Sequence, residues 1–423
     1  MKAKKIISVI LMFFILAAAY SQTRISSPYT RYGIGDLLNS KYIRNISMGG
    51  ISFGFRSPYS VNYSNPASYT AFDTLSFMFE SGVNSSFIQL KSATQENLSN
   101  YSSLSYLVFG FPVTKWWGAS MGLLPYSSVG YNIIDTENLE NVGLLNYYYE
   151  GAGGFNQFYI GNSIKIKNFS AGFNASFLFG SLDKMSSVTL PDSTDFLCTK
   201  IRYSTVTNDF LFNYGLQYQK KFGSKIKMIA GLAFNTSTKL NSKQDTLAYR
   251  FIYSESYGET IKDTIINSID NKGTITLPQS IGAGATFGIK DKWLVGADCQ
   301  VQNWDKYRAF GESDSLANSM QVSFGLEFTP NSLATTQRWK RAHYRLGFRY
   351  NQTYLKLRDT QLNETGISFG LGLPLKKSKT TLNFGFEVGQ RGTTDNNLIQ
   401  ERFARIIFSV SVHEFWFIKR RFD

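Results

Sequence analysis

Two arginines, Arg345 and Arg349, stand four residues apart in a stretch where apolar and polar side chains alternate. On a strand this spacing puts both guanidinium groups on one face, where they would hold a substrate carboxylate. Glu327 and Glu387 sit on the polar faces of nearby alternating stretches. They open the other reading, an ion-pair network that braces the structure. Other chemistry is sparse, with only 2 histidines and 2 cysteines in 423 residues. His343 and His413 are isolated, so neither a His-rich metal site nor a Ser-His-Asp arrangement has its parts. Ser409 and Ser411 read as small polar fillers. Cys198 falls in an expected loop and Cys299 in an expected strand, which is no disulfide framework. No catalytic residue, metal or cofactor is expected, and the chain does not read as an enzyme.

The elements that carry these residues are strands. Ala171, Phe173, Ala175, Phe177 and Phe179 point one way and Ser170, Gly172, Asn174 and Ser176 the other. The pattern recurs with Val322, Phe324, Leu326 and Phe328 against Gln321, Ser323 and Glu327. It recurs again with Leu346, Phe348 and Tyr350 against Arg345, Arg349 and Asn351, and with Leu382, Phe384, Phe386 and Val388 against Asn383, Glu387 and Arg391. A soluble sandwich also alternates. Here, however, the polar face carries mid-strand charges, the apolar face is rich in the chain's 35 Phe and 25 Tyr, and the stretches are long enough to span a bilayer at a tilt. Fourteen strands are expected, at 74–90, 101–113, 115–130, 153–167, 169–184, 203–221, 225–240, 274–290, 292–308, 317–329, 341–357, 364–375, 379–391 and 400–415. The expected class is all-β, a 14-stranded antiparallel transmembrane barrel. Tight links alternate with long ones, 330–340 being the exception, so the short rim is expected to face the periplasm. The long link 241–273 reads as an extracellular hairpin, because Asp245, Arg250, Lys262 and Asp263 interrupt any lipid face.

The flanking segments agree. Lys2, Lys4 and Lys5 precede an apolar run from Ile6 to Ala19, and Ala19-x-Ser21 supplies small residues for cleavage, so 1–21 reads as a signal peptide. The formal charge of +14 then falls to about +11. Its clusters, Arg338 to Arg341, Lys376 to Lys379 and Lys419 to Arg421, fall at turns and chain ends, and no nucleic-acid partner is expected. Residues 22–73 are rich in Gly and Ser and lack alternation, yet Ile43, Ile46, Met48, Ile51, Phe53 and Phe55 need burial. That makes 22–73 a plug for the lumen of the barrel at 74–423; a periplasmic tail is the alternative. Trp116, Trp117, Trp293 and Trp416 read as a periplasmic aromatic girdle. Tyr147, Tyr148 and Tyr149 read either as an extracellular groove or as girdle.

Several motifs carry a resemblance. They are Ser27-Pro28-Tyr29-x-Arg31-Tyr32-Gly33, Met48-Gly49-Gly50, Asn65-Pro66-Ala67 just before the first strand, Leu123-Leu124-Pro125-Tyr126-Ser127-Ser128 and Gly151-Ala152-Gly153-Gly154. In these, and in its layout, the chain resembles the FadL-type outer-membrane transporters of hydrophobic compounds, which include aromatic-hydrocarbon channels. The resemblance implies a location in the outer membrane of a Gram-negative bacterium, and a hatch with Asn65, Pro66, Ala67, Gly49 and Gly50 as its motif residues. It implies passive uptake of long-chain fatty acids or aromatic hydrocarbons, with exit through a gap in the wall made by a kink in the third strand. Pro125, with Gly122 and Tyr126, matches that kink; the alternative is that Pro125 marks an early strand end. Arg345, Arg349, Glu327 and Glu387 are then the candidate ligand residues of the lumen. The implied partners are outer-membrane lipid and a hydrophobic small molecule. The same fold also has non-transporting members, so a cargo-holding or assembly subunit of an outer-membrane protein complex is the alternative function. The C-terminal Phe415-Trp416-Phe417-Ile418 with Phe422 resembles the aromatic assembly signal of outer-membrane barrels.

Overall fold

The computed structural model describes residues 27–38, 42–140, 143–190, 196–223, 225–254, 258–289, 292–314, 316–332, 334, 337–375 and 379–415. The signal-peptide stretch 1–21 and the end from Trp416 onward, with Phe417, Ile418 and Phe422, lie outside them.

Fourteen antiparallel strands close into one barrel. They are β1 (Ser76–Lys91), β2 (Glu96–Pro112), β3 (Trp117–Pro125 continued by Ser127–Leu139), β4 (Gly143–Ile166), β5 (Phe169–Thr189), β6 (Cys198–Phe222) and β7 (Ile226–Asn235 continued by Thr238–Ser254). The second half comprises β8 (Gly258–Leu277 continued by Ser280–Ile289), β9 (Trp293–Gln302), β10 (Ser319–Phe328), β11 (His343–Leu357), β12 (Thr360–Pro374), β13 (Thr381–Arg391) and β14 (Gln400–Phe415). The ring closes where β14 pairs with β1, from Gln400↔Lys91 to Phe415↔Ser76.

Exposure along the strands is the reverse of a soluble protein's. Phe324 is 52% exposed, while its neighbour Ser323 is 1% exposed and Arg349 on β11 is 5% exposed. Phe173, Phe212, Phe348, Phe384 and Ile406 likewise face out, and Asn174, Gln217, Arg345 and Glu387 are buried within. Outward apolar and inward polar rows suit a wall between lipid and an enclosed interior. No helix among the described residues is long and apolar enough to cross a membrane.

The stretches expected as long loops at 131–152, 185–202 and 241–273 are mostly strand. There β3 to β8 continue past the apolar band as one extended ladder, and Cys198 opens β6 instead of lying in a loop. The 241–273 stretch is a hairpin, Thr238↔Leu277 up to Ser254↔Gly258, that prolongs β7 and β8. Polar side chains on both faces end the lipid contact without ending backbone pairing, and this is why the alternation faded before the strands did. Tyr147, Tyr148 and Tyr149 belong to β4 and pair with Ile133 to Asp135 of β3.

Residues 27–38 and 42–72 pack against the wall's inward rows. Ser27 caps the short turn Pro28–Arg31 through its Oγ, which accepts from the Tyr29 N–H at 3.0 Å. A helical turn follows at Ile43–Ile46, and Asn65 caps the last turn at Pro66–Ala71. Ile43, Met48, Ile51, Phe53 and Phe55 are all buried. Where this backbone leans on the wall, the wall residue is a glycine. A Cβ on Gly231 would collide with the Phe53 carbonyl oxygen, one on Gly347 with the Gly49 nitrogen, and one on Gly118 with the Tyr69 carbonyl. The wall has no side chain at these points, so two backbones touch directly.

Candidate functional site

The first feature is a parting in the wall. β2 pairs with β3 only from Pro112↔Gly118 to Leu107↔Leu123. Beyond that point β3 keeps its partner on β4, with Pro125 opposite Asn156 and a break at Tyr126. Proline supplies no ladder donor on the β2 side, and Gly122 packs closely on Val108 of β2. The place β2 leaves is taken by the N-terminal segment. Asp36–Leu37 pairs with Ser128 and Ser127, the Leu38 N–H donates to the Tyr126 carbonyl at 3.0 Å, and the Ser27 N–H donates to the Gly130 carbonyl at 3.1 Å. Gly154 of β4, with φ of 153°, lets the Ser127 backbone approach where a Cβ would collide with its carbonyl.

The second feature is a buried network of charges. Glu327 takes Arg345 Nε at 2.7 Å and Arg44 of the N-terminal segment at 2.6 Å; His343 stands 3.9 Å from it. Arg349 reaches Glu364 and Glu387, both at 2.7 Å, and Arg405 reaches the other oxygen of Glu387 at 3.0 Å. Arg391 joins Glu401 of β14 to Asp36, each at 2.7 Å, and also donates to Ser27 Oγ at 3.1 Å. Ser27 Oγ in turn donates to Glu401. The four candidate ligand residues are therefore paired, Glu327 with Arg345 and Glu387 with Arg349, and further engaged by Arg44, Glu364 and Arg405. Arg405 stands directly across from Glu387 on the polar face of the adjoining strand, and that register was the available signal.

The third feature is the anchoring of the segment. Asn65 is fully buried; its Oδ1 accepts from the Ala67 N–H at 3.2 Å, and its Nδ2 donates to the carbonyls of Phe53 at 2.8 Å and Leu216 at 3.2 Å. Pro66 packs on Gly172, and Gly215 leaves the space that Asn65 fills. Gly49 and Gly50 have φ of 68° and 90°, and the Gly49 N–H donates to Ser368 Oγ at 3.0 Å. Asp298 Oδ2 accepts the N–H groups of Ser52 at 2.5 Å and Phe53 at 2.9 Å. Arg56 is the odd member. Its guanidinium has the hydroxyls of Ser170 and Thr70 as hydrogen-bond partners, and burial pulls its pKa down to about 10. Asp298→Ala should leave the Ser52 and Phe53 amides without their acceptor, at about 1–3 kcal/mol each. Hydrogen exchange at those two amides should accelerate strongly; unchanged protection would refute this role for Asp298.

A cavity of about 340 Å³ joins the first two features. On one side it meets Tyr101, Leu104, Pro125 and Tyr126 at the wall parting, and on the other Arg349, Glu364, Glu387 and Arg405. Asn213, Gln300, Gln321 and Asn351 line it between, beside Leu211, Phe212, Phe234 and Leu355, so its wall mixes polar and apolar surface. No cluster of ligating residues that would hold a metal occurs among the described residues.

A closed 14-stranded barrel with an aromatic outer face and a polar interior defines the class, an outer-membrane-type barrel of FadL-like architecture. The family model described as BamG matches residues 2–423, and the chain belongs to that family. Among solved structures it is similar to the P. putida toluene transporter TodX, with 17% identity, a TM-score of 0.60, and 90% of this chain and 99% of that chain covered. It is similar to the Ralstonia pickettii toluene transporter TbuX at 14% identity and TM-score 0.58, covering 89% and 98% of the two chains. A Pseudomonas aeruginosa FadL homologue gives 11% identity and TM-score 0.59 over 89% and 98%. These likenesses establish the fold. No curated protein matches the chain.

Proposed function

We propose that this chain is a plugged, non-catalytic barrel of the Gram-negative outer membrane that serves as a structural subunit of an outer-membrane protein complex. One observation carries the reading. Buried ion pairs stitch the N-terminal segment to the wall through Arg44–Glu327 and Arg391–Asp36, and the space that remains carries Arg349, Glu364, Glu387 and Arg405 on one side. A hydrophobic passenger crossing it would lie, on that side, against the paired charges of Arg349, Glu364 and Glu387, a surface that offers its apolar atoms little burial. Residues 22–73 then act as a fixed plug, with Asn65-Pro66-Ala67 and Gly49-Gly50 as seats and Arg345, Arg349, Glu327 and Glu387 as bracing. Membership of the BamG family fits a complex subunit.

A second reading rests on the wall parting. The solved relatives are named as toluene transporters, and the cavity reaches the gap beside Pro125 and Tyr126. On that reading the chain is a channel for fatty acids or aromatic hydrocarbons, and Pro125→Ala slows uptake. One pair of measurements separates the two. The tagged chain, extracted from native membranes in mild detergent, should migrate with stoichiometric partner proteins. Proteoliposomes of the pure chain should take up toluene no faster than protein-free vesicles. A chain that migrates alone and speeds toluene entry would sink the subunit reading.

A further inference from the structure

The chain's positive charge is gathered on one rim. At the short-turn end every link between strands sets a cation beside an aromatic side chain. Lys115 adjoins Trp116 between β2 and β3, and Lys167 lies two residues before Phe169 between β4 and β5. Lys221 adjoins Phe222 between β6 and β7, and Lys292 adjoins Trp293 between β8 and β9. Lys340 adjoins Trp339 between β10 and β11, and Lys379, between β12 and β13, lies with its Nζ 5.0 Å from the Phe415 ring. All six aromatic side chains are exposed. The carboxylates among the described residues of this rim are Asp73, held by Lys379 at 2.8 Å, and Glu414.

The other rim is built differently. There Lys91 pairs with Glu96, Lys200 with Glu259, Arg202 with Asp183 and Lys243 with Asp270. Mixed charge cancels at that end and accumulates at this one.

We propose that the short-turn rim is a collar that binds anionic phospholipid headgroups of the leaflet it faces. Three properties select a lipid surface. The cations run around the whole circumference, whereas a protein partner would need a patch on one side. Each stands at the edge of the outward apolar band, at the level where headgroup phosphates lie. Each is paired with a Trp or Phe, and aromatic rings placed at the membrane–water interface fix the depth at which the ammonium groups ride. The collar requires only that this rim meet phospholipid, so it stands whether the barrel is a subunit or a channel.

The rim's own tryptophans report on it. The full chain is reconstituted in phosphatidylcholine bilayers, and brominated phosphatidylglycerol or brominated phosphatidylcholine is titrated in while tryptophan fluorescence is followed. Brominated phosphatidylglycerol should quench at about five-fold lower mole fraction, the factor that one Lys or Arg near an anionic surface confers. The advantage should shrink in high salt. Replacing Lys115, Lys167 and Lys221 with Gln, together with Lys292, Lys340 and Lys379, should abolish it. If that variant does not fold, each set of three alone should reduce it. Lys243→Gln with Lys262→Gln, at the opposite rim, should leave it intact. Equal quenching by the two lipids overturns the proposal, as does a preference that survives loss of the rim cations or follows the opposite rim. An acidic protein partner in place of lipid would give equal quenching.

Discussion

Arg349→Met should destabilise the folded barrel by about 3–5 kcal/mol, the usual cost of leaving a buried charge without its partner. Arg349 holds Glu364 and Glu387 through short contacts at 2.7 Å, and all three side chains are at most 8% exposed. Methionine keeps much of the volume and removes the charge. Glu387 retains Arg405 at 3.0 Å, but Glu364 has no other ion pair among the described residues. The measurement is urea unfolding of the barrel in detergent micelles, followed by tryptophan fluorescence and by the heat-modifiable shift on gels. A second substitution separates charge from packing: Arg349→Met with Glu364→Gln should recover most of the loss. A midpoint unchanged by Arg349→Met would show that this network does not brace the wall. Loss without recovery in the double variant would assign the effect to shape.

Valine at Gly231 or Gly347 should dislodge the N-terminal segment. A Cβ at either position overlaps backbone atoms of the segment, at Phe53 or Gly49. Backbone has no rotamer into which it can retreat, so the segment must move as a body; overpacking costs about 1–3 kcal/mol, and rigid neighbours put it at the upper end. Such a shift would also pull Phe53 from Asn65, Gln217 and Asp298, which all bond its backbone. The expected result is rapid proteolysis within residues 27–72 and a rise in ion conductance across planar bilayers. Gly288 is the control, because the nearest atoms to its Cβ lie 3.8 Å away and alanine there should change neither reading. A silent Gly231→Val would mean that the contact between the two backbones is slack.

The two halves of the molecule were unequally legible in the sequence. Strand side chains have a period of two whatever the outer face meets, so Phe173, Phe324 and Phe384 marked their strands and the fourteen-strand ring followed. The outer limit of the membrane was not marked. Once Lys200, Arg202 and Asp245 replace phenylalanine, alternation no longer separates a ladder in water from a loop. Glu327 and Arg345 could be read together because they face each other across adjacent strands. Arg44 and Asp36 could not, since they come from a segment of single turns with no repeat to extrapolate. The glycine seats were likewise hidden: Gly231 and Gly347 look like weak strand residues until the backbone they receive is in view.

The seam between β14 and β1 has a consequence for how the polypeptide takes shape. Glu401 on β14 grips Arg391 and Ser27, so the last strand holds the N-terminal segment at Ser27. Tyr29 is tied to Ile399 just before that strand, while Asp73, at the other end of the same thread, is tied to Lys379 on the opposite rim. On the plug reading proposed above, the early chain would run from one mouth to the other as a spindle, with the later chain wound around it. A ring zipped shut beforehand would present bare glycine seats to water. The spindle would then have to thread past them against their hydration. Winding first and zipping last avoids that barrier.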